Sequence, residues 1–280
     1  MKRKTIWFAA AAALVMLAGC ASVGQQAEQG AVIGDGFIRI EGGTFQMGSP
    51  DGGVRFENEL PMRSVTVNTF HMSRFPVTQG EYYDLVGVNP SYFQADKAYG
   101  GTNWRNHPVE RVNWLEAIQF ANAKSARAGL EAAYTISGTT VTWNREANGY
   151  RLPTEAEWEF AARGGTVCRG NFTFSGSNTL AEVGWLRETS GGTTHPVGSL
   201  APNALGLYDM TGNVYEWMWD YYGPYPGIAE TNPAGPAEGT TRVRRGGCRN
   251  CQEWYVTATF RNGFNPEART GGIGLRLVRS

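Results

Sequence analysis

Histidine is scarce: His71, His107 and His195 are the only three in 280 residues. None falls in a His-x-x-His or His-Glu-x-x-His arrangement, so a zinc site of that kind is not indicated and structural roles are expected. Surplus charge of one sign is also missing. The 25 basic and 25 acidic side chains balance, which removes any global pull towards nucleic acid. No apolar run after residue 20 is long enough to span a bilayer. Gly-x-Ser-x-Gly is absent, and with it the elbow that exposes a nucleophilic serine. Internal repeats, low-complexity blocks and composition shifts after residue 30 are absent too, which argues for one domain. Glycine is what the chain has in plenty: 37 residues without a Gly-X-Y period, which excludes collagen and favours a loop-rich globular domain.

The first twenty residues read as an address. Lys2-Arg3-Lys4 precedes an apolar run over 6–17 and then Ala18-Gly19-Cys20, the three-part layout of a secretory signal. Leu17-Ala18-Gly19-Cys20 resembles the bacterial lipobox, in which the cysteine becomes the lipid-bearing first residue. Residues 1–19 are then a lipoprotein signal peptide, 20–30 a small polar tether, and 31–280 the folded domain. Cys20 would anchor an otherwise water-soluble chain to the bacterial cell envelope. Ala21 following it leans towards the outer membrane, with the domain surface-exposed. Cleavage removes three cations, leaving 22 basic against 25 acidic residues. Cys168, Cys248 and Cys251 remain in an oxidising compartment, where an odd number permits at most one disulfide.

Local patterns predict an α+β chain with few helices. Residues 37–40 and 44–47 flank Glu41-Gly42-Gly43 and read as a β-hairpin. Residues 64–70 alternate as a strand. Capping boxes open helices at Thr78, Asn113 and Thr154, with Glu81, Glu116 and Glu157 three residues on. Residues 134–136 and 141–143 form a strand pair, and 274–278 a closing strand. Glu155, Glu157 and Glu159 cannot converge on one substrate, because alternate helical positions point far apart; capping and a charged first turn account for them. Arg242, Arg244, Arg245, Arg249, Arg261, Arg269, Arg276 and Arg279 are expected to pair with carboxylates elsewhere. Cys248-x-x-Cys251 has the spacing of half a zinc site or a redox pair, but no second pair completes it.

Several blocks, in order, carry a family resemblance: GGTFQMGS at 42–49, PVT at 76–78, PVERV at 108–112, YRLPTEAEWE at 150–159, NALGLYDMTGNVYEW at 203–217 and RGG at 245–247. Together they resemble the formylglycine-generating enzyme, or sulfatase-modifying factor, family. The resemblance implies a C-type-lectin-like fold with long ordered loops. It also implies calcium held by Asp209, the backbone of Gly212 and Val214, and Glu216, a set of oxygen donors suited to a hard cation. Family members oxidise a substrate cysteine with Cu(I) on two thiolates. Cys251 matches the first, but the second position holds Val256, so no copper is expected.

Residues 248–272 (CRNCQEWYVTATFRNGFNPEARTGG) stand where relatives often carry Ser-Trp and many asparagines. Here Tyr, Thr, Phe, Gly, Ala and Cys occupy most of those places. That resembles the variable region of proteins diversified by a retroelement that mutates template adenines, and the chain is similar to treponemal variable lipoproteins of this type. Aromatic anchors among small residues suit an adaptable recognition surface. The candidate contact residues are Arg249, Asn250, Cys251, Glu253, Trp254, Tyr255, Thr257, Thr259, Phe260, Gly263 and Phe264. The expectation is a non-catalytic, lipid-anchored protein that binds a variable protein or surface ligand and no nucleic acid. The alternative is an exported copper-dependent oxidase using Cys251 with Cys248.

Overall fold

The computed structural model describes residues 36–50, 56–94, 104–168 and 170–280. The expected signal peptide, Cys20 and the tether lie outside them. Strand β1 (Phe37–Ile40) pairs antiparallel with β4 (Phe70–Ser73), whose other edge takes β14 (Val278–Arg279), so the start and end of the domain share a sheet. Strand β2 (Gly43–Met47) leaves β1 and pairs with β3 (Arg63–Val67), which carries β10 (Glu230–Thr231) on its far edge. The expected hairpin over 37–47 is therefore not formed. Both strands find partners in the next segment, and the expected strand over 64–70 breaks into β3 and β4 to serve them. Gly42 makes the crossing possible, since a Cβ there would lie 2.5 Å from the Val67 carbonyl oxygen.

The capping signals behave as their chemistry requires. Helix α1 (Gln79–Val86) starts with the Glu81 N–H donating to Thr78 Oγ1 at 3.1 Å, while the Glu81 carboxylate turns instead to Lys124. Helices α2 (Trp114–Arg127) and α3 (Glu155–Ala162) have complete boxes, Asn113 with Glu116 and Thr154 with Glu157. Helix α2 buries Trp114, Ala117, Ile118, Phe120 and Ala121 along one stripe. Strands β5 (Tyr134–Ser137) and β6 (Thr140–Trp143) form the expected hairpin. After α3 come a single-turn helix α4 (Leu180–Val183) and the short strands β7 (Gly184–Trp185) and β8 (Thr211–Gly212). The largest sheet follows, ordered β12 (Asn262–Phe264), β11 (Arg242–Arg245), β9 (Tyr215–Tyr221) and β13 (Ile273–Gly274). The closing strand predicted over 274–278 is interrupted: β13 and β14 are separated by the buried residues 275–277. Among the described residues no helix is long and apolar enough to cross a membrane.

Buried ion pairs join α3 and β9 to the last third of the chain. Arg245 has no exposed surface and bonds Glu159, with Glu155 at 3.3 Å. Arg261 meets Glu155 through two bonds of 2.7 Å, and Arg276 meets Glu216 at 2.8 Å. Glu157 on the opposite side of α3 pairs with Arg151 at 2.8 Å. Capping thus explains only Glu157; Glu155 and Glu159 are buried partners of arginines. Burial by itself raises the Glu155 and Glu157 carboxyls, and their arginines outweigh it, holding both below the usual carboxylate value.

Removing one member of a buried pair strands the other without solvent, at a typical loss of about 3–5 kcal/mol. Glu159→Gln is expected to destabilise the fold by about that amount in urea unfolding; a loss below about 1 kcal/mol would show the pair to be dispensable.

Candidate ligand-binding site

Beyond β11 the chain turns through Gly246 and Gly247, at φ +90° and +73°. A side chain at 247 would meet Val256 Cγ1 at 2.4 Å and the Tyr255 carbonyl at 2.5 Å, so only glycine admits this turn. The segment then crosses the sheet edge and returns as β12 beside β11. Backbone bonds fix its course: Arg249 N–H donates to the Asn213 carbonyl at 2.9 Å, Arg187 N–H to the Cys251 carbonyl at 3.1 Å, and Ala258 N–H to the Thr173 carbonyl at 2.9 Å. Val256, Ala258, Phe260 and Arg261 are buried, while Trp254, Tyr255, Thr257 and Thr259 keep part of their surface.

This in-and-out pattern distributes the candidate residues between two cavities. A cleft of about 470 Å³ is lined by Arg249, Asn250, Cys251, Tyr255 and Phe264. A second cavity of about 660 Å³ takes Glu253, Trp254, Thr257 and Thr259. Two candidates fall in neither. Phe260 is packed against Phe56 and Tyr255 at centroid distances of 5.2 and 5.1 Å, and Gly263 presses on the Tyr222 ring, where a Cβ would lie 2.6 Å from Cγ. The wall residues missed from sequence are Arg187, Tyr215, Arg244 and Asn262 in the cleft, and Arg163 and Cys168 in the second cavity. All but Asn262, which shares β12 with Gly263 and Phe264, come from other parts of the chain, and only the topology unites them.

Inside the cleft the Cys248 and Cys251 sulfurs lie 2.6 Å apart, and the Tyr215 hydroxyl lies 3.4 Å from Cys251 Sγ. The Cys248 thiol, bonded to Cys251, stabilises its thiolate against the opposing effect of burial and brings the Cys251 pKa down to about 7. The same bond, with burial, pushes Cys248 up. Val256, at the second copper-cysteine position, is wholly buried in a cluster with Phe174, Val183 and Leu186. The thiolate pair of the family pattern is therefore not formed, and the donor set does not fit it.

The calcium set fits no better. Both Glu216 oxygens accept from Arg276, and one also accepts from Trp158 Nε1 at 2.7 Å. Asp209 accepts from the Gly198 N–H at 2.7 Å and from Asn213 Nδ2 at 3.2 Å. Burial raises Asp209 to about 6. A cation bridging Gly212, Val214 and these carboxylates would have to expel Arg276, a cation already in place. Among the described residues no three His, Cys, Asp or Glu side chains gather as a metal group. His107 contacts Thr194 at 3.0 Å and His195 the Ser190 carbonyl at 2.8 Å, in line with their expected structural roles.

The arginine expectation holds for at least four of the eight. Arg245, Arg261, Arg269 and Arg276 pair with carboxylates. Arg242 and Arg244 lie on aromatic rings instead, Arg242 over Trp114 at 3.8 Å and Arg244 over Phe264 at 3.8 Å.

The loop-rich α+β scaffold is shared with formylglycine-generating-enzyme-like proteins. Residues 23–280 match the Sulfatase-modifying factor enzyme 1-like domain, and the chain belongs to that family. It is 34% identical to Chaperone protein LppX of Paenibacillus barcinonensis across 99% of each chain. It is 28% identical to the Formylglycine-generating enzyme of Mus musculus over 86% of this chain and 74% of that one. Among solved structures, Treponema denticola variable protein 1 superposes with a TM-score of 0.78 at 32% identity, covering 87% of this chain and 95% of its own.

Saturating calcium and excess chelator are expected to give the same thermal midpoint. A midpoint raised by more than about 4 °C with calcium would show that Glu216 gives up Arg276 for a metal.

Proposed function

We propose that this is a lipid-anchored, envelope-exposed binding protein whose residues 248–272 form a diversified ligand surface on a fixed scaffold, without turnover. The observation that carries the reading is the alternation over 254–260: buried side chains hold the segment while their neighbours line two cavities. Such an arrangement lets the outward residues change without moving the backbone. Val256 in place of a second ligand cysteine removes the donor on which copper chemistry of the family type depends. Similarity to a variable protein supports the same reading. The name chaperone protein, carried by one relative, makes another protein a natural ligand for this surface. Cys20 supplies the anchor by its resemblance to the lipobox, and adenine-directed mutagenesis supplies the diversity.

A second reading, an exported modifying enzyme acting through Cys251 with Cys248, is favoured by the contact between their sulfurs at 2.6 Å. Stoichiometric Cu(I) uptake and oxygen consumption, both lost in Cys251→Ala, would establish it.

The binding reading is tested with the immobilised mature chain and fractionated surface proteins of the source cells. Trp254→Ala and Tyr255→Ala are each expected to weaken capture about tenfold or more, Trp254→Ala at unchanged melting temperature and Tyr255→Ala with a lowered one, since its ring packs on Phe56 and Phe260. Ile228→Ala, exposed on a remote loop, serves as the control. Equal capture by all three variants would contradict the assignment of the surface.

A further inference from the structure

Arg244 sits on β11 with its guanidinium between two rings, 3.8 Å from the Phe264 centroid and 4.1 Å from that of Tyr215. Among the described residues its side chain forms no ion pair and no hydrogen bond, and its buried Nε has no partner. An unpartnered buried N–H is costly, and the remaining guanidinium donors of this part-exposed side chain open on the cleft it lines. Burial lowers its pKa, and no carboxylate is among the groups that oppose the shift.

The surrounding wall has the same bias. Arg187 and Arg249 line the cleft with Arg244, and no carboxylate does. Arg187 spends one bond on the Asn250 carbonyl at 3.2 Å and pairs with no acid among the described residues. Arg249 lies over Phe93 at 3.9 Å and donates to the Gly192 and Gly271 carbonyls. Glu110, close to Gly271 and Arg249, is buried outside the cleft wall, and burial raises it to about 7, which weakens its negative charge at neutral pH. Within the wall only Cys251, held near 7, can supply an anion there, because burial keeps the Tyr215 phenol protonated. The positive charge of the wall thus exceeds the negative.

We infer that the cleft beside the cysteine pair receives an oxyanion, a carboxylate, sulfate or phosphate group of the ligand, with Arg244 as its anchor and Arg187 and Arg249 as flanking cations. The proposal rests on the binding reading and gives its ligand a chemical class. Contact with two rings restricts the guanidinium, a group whose planar fork suits the two parallel bonds that a planar or tetrahedral oxyanion accepts. Arg244 belongs to β11, outside residues 248–272, so its part in anion anchoring would be constant beneath a changing rim that includes Arg249.

Calorimetric titration of the mature chain at constant ionic strength tests this with three probes: inorganic sulfate, inorganic phosphate and a short glutamate peptide. Saturable one-to-one binding of at least one probe is expected, and the strongest probe identifies whether the group is a free oxyanion or a side-chain carboxylate. Arg244→Gln should weaken it about tenfold or more, whereas Arg127→Gln, on a different cavity, should not. Arg187→Gln, outside the regular sheet, provides a second variant should Arg244→Gln melt early. No saturable binding, or binding unchanged in both cleft variants, would overturn the inference. Loss of ligand capture in Tyr255→Ala alongside failure of every anion to bind would leave the binding reading standing and remove the oxyanion anchor alone.

Discussion

Three buried arginines bracket the segment that the function is proposed to use. Arg245 stands just before its opening Gly246-Gly247 turn, Arg261 within it directly after the buried Phe260, and Arg276 just beyond its end. Their carboxylates, Glu155, Glu159 and Glu216, sit on α3 and β9. Charges this deep cannot be left unpaired, so each arginine forces the local backbone back to the same place. The chain between them is held at its ends and middle by interactions that involve none of the outward side chains.

That constraint explains how one segment can serve as both scaffold and surface. Val256, Ala258 and Phe260 point inwards, and the residues between them point towards cavities. Binding by such a surface loses little conformational freedom, which is how small contact areas gain affinity. The sandwiched Arg244 follows from the same geometry. It stands on the strand next to β12, so the return of the segment lays Phe264 over it.

Much of this was legible in the residues, and the failures have physical causes. Capping boxes at Asn113 and Thr154 are legible because an N-cap depends on neighbours three residues away. The family blocks located the scaffold and the cleft segment. The hairpin over 37–47 misled because Gly42 serves a crossing between sheets rather than a tight turn, a difference that arises only from the partners β3 and β4. The aromatic pattern puts Phe260 at the surface, yet it is core, since its partner Phe56 lies about two hundred residues away in a part of the chain without local signal. Glu216 matched a calcium ligand by position, yet Arg276 reaches it across 60 residues and takes both oxygens. Long-range charge pairing leaves no periodic trace, and it decides the case where a calcium ligand was expected and an arginine was found.

The most direct measurement is deep sequencing of the codons for residues 245–276 across the source population, aligned with any adenine-rich near-copy in adjacent DNA. The account predicts substitutions concentrated at the cavity-lining residues Arg249, Asn250, Cys251, Glu253, Trp254, Tyr255, Thr257, Thr259 and Phe264. Arg244, lying just outside that window, should be constant when the read is extended to it, as should Arg245, Val256, Ala258, Phe260, Arg261 and Arg276. Substitution spread evenly over buried and outward positions, or a wholly invariant segment with no near-copy, would contradict the claim that this fold exists to present a changing ligand surface.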